Sequence, residues 1–209
     1  MSISQNPMTG QMRKSMANFT TYVYKGQNII RSKAFNPKDA NTELQKVQRA
    51  SFKLIVNAYQ SLGGFADNGF PLRPDTQSVY NAFVAANLLS AIDNTGTIPV
   101  IDYRKMLIAK GTLQGVKVTS AVVNASGITV NYATNLSFPH IATTDMVMVV
   151  AKTKEGALMS ASQQRGSDPT GSISLVSPNI SKDDIDYVYL FVITADKKNV
   201  SNSVFVELG

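Results

Sequence analysis

The chain has no cysteine and no tryptophan, and only one histidine among its 209 residues. Without cysteine it can form no disulfide, no thiolate nucleophile and no thiolate metal site. Charge is scarce as well, because Asp, Glu, Lys and Arg make up 16% of the chain, against about 25% in an average soluble protein. The uncharged polar residues Ser, Thr, Asn and Gln take their place, which is typical of β-rich proteins and of subunits of assemblies.

Long apolar runs are also missing, although 44% of the residues are apolar. No run approaches the ~20 residues of a membrane span. The first residues lack the apolar core of a signal peptide. We therefore expect one large or two small domains with a real core, no membrane partner, and assembly in the cytoplasm of the cell that makes the protein.

No group of side chains in the sequence predicts catalysis. His140 follows Pro139 in a predicted loop with no nucleophile motif beside it, so a structural or surface role is expected. Asp183, Asp184 and Asp186 form the densest acidic cluster, but a calcium loop would also need a glycine and a distal glutamate. A solvated loop explains this cluster more simply. The prediction is a protein that is not an enzyme and has no cofactor, metal or small-molecule substrate.

Positive charge is concentrated in the first 60 residues, which carry nine Lys or Arg against two acids, a net charge of +7. The rest of the chain has a net charge of −1, so this part supplies the whole excess of +6. Aromatic residues are interleaved with the cations, as in surfaces that bind phosphates and stack on bases. A basic face that meets an acidic protein neighbour is the interpretation we favour. The residues expected to contact the partner are Phe19, Tyr22, Lys25, Arg31, Lys33 and Arg49.

Two blocks of the sequence carry a family resemblance. The first combines basic, apolar and turn residues before a helix: Lys25-Gly26, Ile29-Ile30, Arg31-Ser32-Lys33, Asn36-Pro37, then Gln45, Gln48, Arg49 and Phe52. The second is residues 187–203. Together they resemble a domain-of-unknown-function family that is abundant in gut bacteria and recurs in their phages and prophages. Members often open with a glycine-rich run, whereas this chain has only Gly10 before Gly26. The resemblance covers most of the chain and implies a fold and a context, but no catalytic residue.

The first 115 residues predict a polar arm, 1–18, and a small domain, 19–115. Two β-rich runs flank Lys25-Gly26, which is a hairpin signal. In the following helix, Thr42 and Gln45 form a capping-box pattern, and Gly63-Gly64 marks the end. A second helix is expected from a cap at Asp75 or Thr76 to the turn at 93–96, and then a strand over 100–107. The predicted buried faces are Leu44, Val47, Leu54, Ile55, Ala58 and Leu62 in the first helix, and Val79, Phe83, Ala86 and Leu89 or Ser90 in the second.

Residues 116–209 switch to an alternating pattern. Seven short runs separated by turn residues predict an immunoglobulin-like or fibronectin type III-like sandwich that is an independent domain. In such a module Tyr187 is either a corner tyrosine or an ordinary strand aromatic. The fold class is therefore mainly β with a helical insert (α+β). The seven predicted strands are 116–124, 128–134, 146–153, 157–163, 172–177, 187–194 and 200–208.

These observations favour a non-enzymatic structural protein of a phage virion, such as a capsid, neck or tail accessory subunit. It would act through contacts with other virion proteins or copies of itself, and residues 1–35 would be ordered by a neighbouring chain. The alternative is a bacterial cytoplasmic binding protein whose basic N-terminal segment binds nucleic acid or protein. A carbohydrate-binding module is disfavoured by the absence of tryptophan and of an export signal.

Overall fold

A computed structural model describes residues 2–4, 14–16, 18–33, 39–96, 98–137 and 141–209. Contacts divide the chain into two compact units, residues 1–42 and 43–209. The boundary predicted at 115/116 has no counterpart in this division, because the helices of the second unit share a core with its sheets. Whether residues 116–209 fold alone stays a prediction.

The first unit is built on a four-stranded antiparallel sheet of order β1-β4-β3-β2. The predicted hairpin is confirmed, and its turn places Lys25 and Gly26 at φ values of 50° and 78°, which suits a two-residue hairpin turn. The predicted arm supplies two edge strands that the sequence did not predict. Strands of three residues are too short for an alternating pattern to identify them, yet these two pair with the open backbone edges of the hairpin. The strands are β1 (Ser2–Ser4), β2 (Lys14–Met16), β3 (Phe19–Tyr24) and β4 (Gln27–Ser32).

The second unit begins with helix α1, Glu43–Ser61. It starts after Thr42 and ends before Gly63, as predicted. Leu44, expected on the buried face, is 83% exposed, because it lies in the first turn, beyond the buried part of that face. Ser51 is buried instead, and its hydroxyl lies 3.1 Å from Asn94 Oδ1.

A 3₁₀ helix (Gly63–Gly69) leads to helix α2, Val79–Asn87. The predicted cap at Asp75 or Thr76 is wrong: the Ser78 hydroxyl accepts the Asn81 N–H at 3.2 Å. The chain makes a separate turn at 74–77 before the helix. Either Leu89 or Ser90 was predicted to be buried, but Leu89 is 91% exposed and Ser90 is exposed as well, because both follow the end of α2. None of the helices in the described residues has the length and apolar character needed to cross a lipid bilayer.

The strand predicted at 100–107 is observed only over its first two residues. Strand β5 (Ile92–Asp93) pairs with β6 (Val100–Ile101). Beyond β6, at Leu107, the side chain of Asn87 makes the backbone hydrogen bonds that a neighbouring strand would otherwise make. Its Oδ1 accepts the Leu107 N–H at 2.7 Å and its amide donates to Leu107 O at 2.9 Å.

Seven further strands form two antiparallel sheets, with orders β11-β8-β7 and β10-β9-β12-β13. The first six lie close to their predicted positions, with only a 3₁₀ helix (Lys182–Asp184) among the described residues after 116. The strands are β7 (Lys117–Asn124), β8 (Gly127–Ala133), β9 (Met146–Thr153), β10 (Leu158–Gln164), β11 (Thr170–Val176), β12 (Ile185–Ile193) and β13 (Val204–Phe205).

The last strand is shorter than the predicted 200–208 because side chains satisfy backbone groups there. The Ser201 hydroxyl accepts the Val192 N–H at 2.9 Å, and the Ser203 hydroxyl accepts the Ile108 N–H at 2.9 Å. Such bonds replace regular strand pairing.

The four-stranded sheet of the second unit is buried on both faces along its central strands, β9 and β12. One face packs on the helices, and the other packs on the three-stranded sheet. A bulge after Ile185 sets which residues of β12 point to which face. The structure is thus mainly β, with several antiparallel sheets. Side chains on the helix side are Tyr187, Tyr189 and Phe191; those on the sheet side are Val188, Leu190 and Val192.

Candidate functional site

Five of the six residues predicted to contact a partner lie in the first unit. Phe19 and Tyr22 belong to β3, Lys25 to the hairpin turn, Arg31 to β4, and Lys33 follows β4. Arg49 lies on α1 of the second unit, where it already has an interaction within the chain. The sequence grouped it with the others only because it is close in number.

Strand register divides the five between the two faces of the sheet. Tyr22 pairs with Ile29, Thr20 pairs with Arg31, and the Lys33 N–H continues the ladder by donating to Asn18 O at 2.7 Å. Since alternate residues of a strand share a face, Tyr22, Arg31 and Lys33 lie together. Phe19, 52% exposed, lies on the opposite face.

Tyr24 also belongs to the face of Tyr22; it is one of the aromatics interleaved with the cations in the sequence, but it was not among the six predicted contact residues. It is two residues beyond Tyr22 and is 57% exposed. The Lys25 ammonium lies 5.5 Å from the centroid of its ring, a cation–π contact. The alternation of the run 19–24 was the signal that could have found it.

This side of the sheet is called the basic aromatic face below. Ile29 is buried at its centre, Tyr22 is half-buried, and Arg31 and Lys33 are exposed. Neither cation makes an ion pair with any residue that the structure describes. Within the described chain, the face therefore offers two cations without a counter-charge beside aromatic surface. Its members are Tyr22, Tyr24, Ile29, Arg31 and Lys33.

The other polar groups singled out from the sequence have local structural roles. Asp184 accepts the Ser181 N–H at 2.9 Å and the Ser181 hydroxyl at 2.7 Å, and these bonds lower the pKa of Asp184. Asp186 lies 3.6 Å from Lys152 Nζ. His140 is outside the described residues. In the part of the chain that is described, no three His, Asp or Glu residues are grouped to hold a metal ion.

Tyr187 is a strand aromatic, and the corner interpretation is wrong. A corner tyrosine bonds a backbone group through its hydroxyl, but the buried Tyr187 hydroxyl bonds no backbone group of the described residues and has the Ser61 side chain as its hydrogen-bonding neighbour. The centroid of the Tyr187 ring lies 5.0 Å from the centroid of the Tyr103 ring. The backbone bond is made by Tyr189, whose hydroxyl donates to Tyr103 O at 2.6 Å.

An internal ion pair, Asp145 with Arg165, was not visible in the sequence. The two residues are 20 positions apart, and neither belongs to a recognisable motif. Burial lowers the pKa of the Arg165 guanidinium, and the Asp145 carboxylate opposes that effect. Both side chains are enclosed, so the pair serves the fold and offers no surface to a partner.

A family model matches residues 11–207 of the chain. The matched span includes both blocks that carry the resemblance and the whole basic aromatic face. The family's description assigns no function to its members. A comparison with curated proteins finds no match. The chain belongs to the family of unknown function DUF6266.

Proposed function

We propose that the protein is a non-enzymatic structural subunit of a phage virion, in the capsid, neck or tail. The basic aromatic face is the observation that carries the proposal. Two cations without ion-pair partners in the described chain stand beside two tyrosines on a small sheet. Tyr and Arg are enriched in protein–protein interfaces, and an acidic patch on a neighbour would neutralise the cations.

The charge of the first unit supports an acidic protein partner. Residues 1–42 carry six Lys or Arg against one Asp, a net charge of +5. Complementary charge raises association rates and excludes wrong partners. The partner is another virion protein or another copy of this chain that presents acidic groups.

We also propose that β7–β13 form an immunoglobulin-like sandwich of the fibronectin type III kind. In a constant-type immunoglobulin domain the first, second, fourth and fifth strands form one sheet, and the third, sixth and seventh form the other. Here the fourth strand, β10, pairs with the third, β9, instead. The remaining strands divide as in that domain, which favours the fibronectin type III variant. In a virion this unit would pack against neighbours or be displayed.

The virion context rests on the resemblance to a family that recurs in gut phages and prophages. The low charge content also suits a subunit that lives in an assembly. Assembly would take place in the host cytoplasm. Neighbouring genes provide a first test: portal, terminase or tail genes support the proposal, and metabolic or regulatory genes on both sides contradict it.

The decisive experiment is incorporation into particles. The double charge reversal Arg31→Glu with Lys33→Glu should abolish copurification with virions made by the phage that encodes the protein, as measured by quantitative mass spectrometry. A matched reversal in the second unit, Lys117→Glu with Lys197→Glu, changes two exposed cations by the same charge and should incorporate like the wild type. Normal incorporation of the Arg31/Lys33 variant, or absence of the wild type from particles, contradicts the proposal.

Nucleic-acid binding by a bacterial cytoplasmic protein is the competing function, since Tyr22 and Arg31 share a face suited to stacking and phosphate contact. A fluorescent single-stranded oligonucleotide distinguishes the two. Binding that falls steeply with salt and is lost on Arg31→Glu would favour this second function.

Deleting residues 2–18 is a further test of the virion proposal, because that proposal expects a folded protein that no longer incorporates into particles.

A further inference from the structure

We propose that a cleft in the second unit binds an organic carboxylate with a short apolar tail. The cleft has a volume of about 370 Å³. Its walls are the loop at 70–77 and the segment at 110–112, and its floor is α2. It is called the α2 cleft below. It shares no residue with the basic aromatic face, and the inference does not depend on the proposed virion function.

The floor of the α2 cleft is apolar. Ala82, Ala85 and Ala86 are three and four positions apart, so they lie on one face of the helix. Phe70, which is buried, extends this surface. Small side chains on the helix leave room for an apolar group of the ligand.

Arg73 lines the cleft as a fixed cation. Its Nε donates to Gln77 O at 3.1 Å, and its Nη1 donates to Phe70 O at 3.0 Å. These two bonds hold the guanidinium against its own loop. The Nη2 group makes no hydrogen bond to any described residue, so its donors remain for a ligand. Guanidinium groups match the planar geometry of carboxylates.

Lys110 supplies a second cation on a wall with a fixed backbone. The Lys110 N–H donates to Gly69 O at 2.8 Å, and the Gly111 N–H donates to Asn202 Oδ1 at 3.2 Å. The Lys110 ammonium itself is exposed and has no ion pair among the described residues. None of the described residues that line the cleft is acidic.

Size and charge together define the ligand. Clefts that hold small organic ligands have volumes of roughly 300–1,000 Å³, apolar walls and a few placed polar groups. The α2 cleft has this character, and both of its charged groups are positive. A carboxylate would neutralise them while its tail covers the alanine floor. An apolar molecule without a carboxylate would leave the two cations without a counter-charge. A carboxylate without an apolar tail would leave the alanine floor uncovered.

Nuclear magnetic resonance titration with hexanoate tests this ligand class. Hexanoate should cause saturable shifts of the Ala82, Ala85 and Ala86 methyl signals. Acetate and hexan-1-ol are the matched probes, because each keeps one half of hexanoate. We expect each to bind at least about fivefold more weakly, since each lacks either the apolar or the charged contact. Equal binding of hexan-1-ol, or shifts that lie outside the cleft, would overturn the proposal.

Variants distinguish specific binding of hexanoate in the cleft from a general attraction of an anion to a basic protein. Lys110→Gln removes a charge with no structural partner, so the fold should persist and hexanoate should bind about tenfold more weakly. Lys117→Gln removes an exposed lysine elsewhere and should leave binding unchanged. Unaltered hexanoate binding by the Lys110→Gln variant would overturn the proposal.

Discussion

Asp145 and Arg165 form an ion pair inside the second unit, with Arg165 Nη1 3.5 Å from Asp145 Oδ2 and side-chain exposures of 2% and 0%. The Arg165 N–H also donates to Asp145 O at 2.7 Å. Its Nη2 donates to Gln114 O at 2.8 Å and to Gly115 O at 3.2 Å. Arg165 therefore ties the end of β10 to the start of β9 and to the segment that enters β7.

Asp145→Ala should destabilise the protein strongly. It leaves the Arg165 charge buried without a counter-ion, and it also removes the acceptor of the Ala142 N–H. Loss of one partner of a buried pair costs about 3–5 kcal/mol. Urea denaturation followed by circular dichroism measures the change in the free energy of unfolding.

Two further variants make that test specific. The exposed pair Lys198–Asp196, with atoms 3.9 Å apart, is the control, and Asp196→Ala should leave the urea midpoint unchanged. Replacing both buried partners, as Asp145→Leu with Arg165→Met, should recover much of the stability because no unpaired charge remains. If Asp145→Ala proves as mild as Asp196→Ala, the pair does not hold these strands together.

Tyr189→Phe and Tyr187→Phe should differ although the residues lie on the same face of β12. The Tyr189 hydroxyl donates to Tyr103 O at 2.6 Å, and its loss leaves that carbonyl without this donor. The expected cost is about 1–2 kcal/mol. The Tyr187 hydroxyl is buried, bonds no backbone group of the described chain and has the Ser61 side chain as its hydrogen-bonding neighbour, so its removal should cost less than that of the Tyr189 hydroxyl. Equal losses in chemical denaturation would contradict this assignment.

Stability should fall in alkaline solution because of buried tyrosines. Burial raises the pKa of Tyr187 and Tyr189 above the ordinary value of 10.0. The unfolded chain releases these protons near pH 10, while the folded chain keeps them. The contribution is therefore complete below that pH and is lost as pH rises further. Urea midpoints between pH 8 and 11 should fall, and the double variant Tyr187→Phe with Tyr189→Phe should show a shallower fall; an unchanged slope contradicts the prediction.

Ser203→Ala should expose the dependence of the C-terminal segment on side-chain hydrogen bonds. The buried Ser203 hydroxyl accepts the Ile108 N–H at 2.9 Å, and alanine leaves that buried donor unpaired. The expected loss is about 1–3 kcal/mol in the free energy of unfolding. Ser172→Ala, on the exposed side of β11, is the matched control and should be neutral within error. A neutral Ser203→Ala would show that water or a shifted backbone satisfies Ile108.

Local patterns in the sequence account for the parts of the fold that were predicted. The β3–β4 hairpin follows from Lys25-Gly26 between β-rich runs, and α1 follows from Thr42 and Gly63 around a helical repeat. In both cases the signal and the structure lie within a few residues. The run at 146–153 was also placed correctly, since β9 has the same bounds.

Non-local side-chain bonds account for much of what was missed. Asn87 acts as the partner of Leu107, and Ser203 as that of Ile108, across 20 and 95 positions. Such pairs leave no periodic pattern of apolar residues in the sequence. The strands at 100–107 and 200–208 were therefore predicted too long. For the candidate site, proximity in sequence correctly grouped Tyr22 with Arg31 but could not separate Phe19 from them. That separation depends on strand register, which the hairpin turn sets.

Gly127→Ala and Gly156→Ala test whether a close approach between strands fixes the first hairpin of the three-stranded sheet. Both glycines have positive φ, 138° and 94°, so alanine strains the backbone at each. At Gly156 an added Cβ would meet nothing within 4 Å, and the cost should be only about 1–2 kcal/mol. At Gly127 it would collide with the Leu175 carbonyl and lie 2.8 Å from the Ser177 nitrogen. Overpacking adds about 1–3 kcal/mol, so Gly127→Ala should be the more destabilising variant in urea denaturation. Equal losses would mean that β11 moves away freely, and that contact with its carbonyl does not position β8.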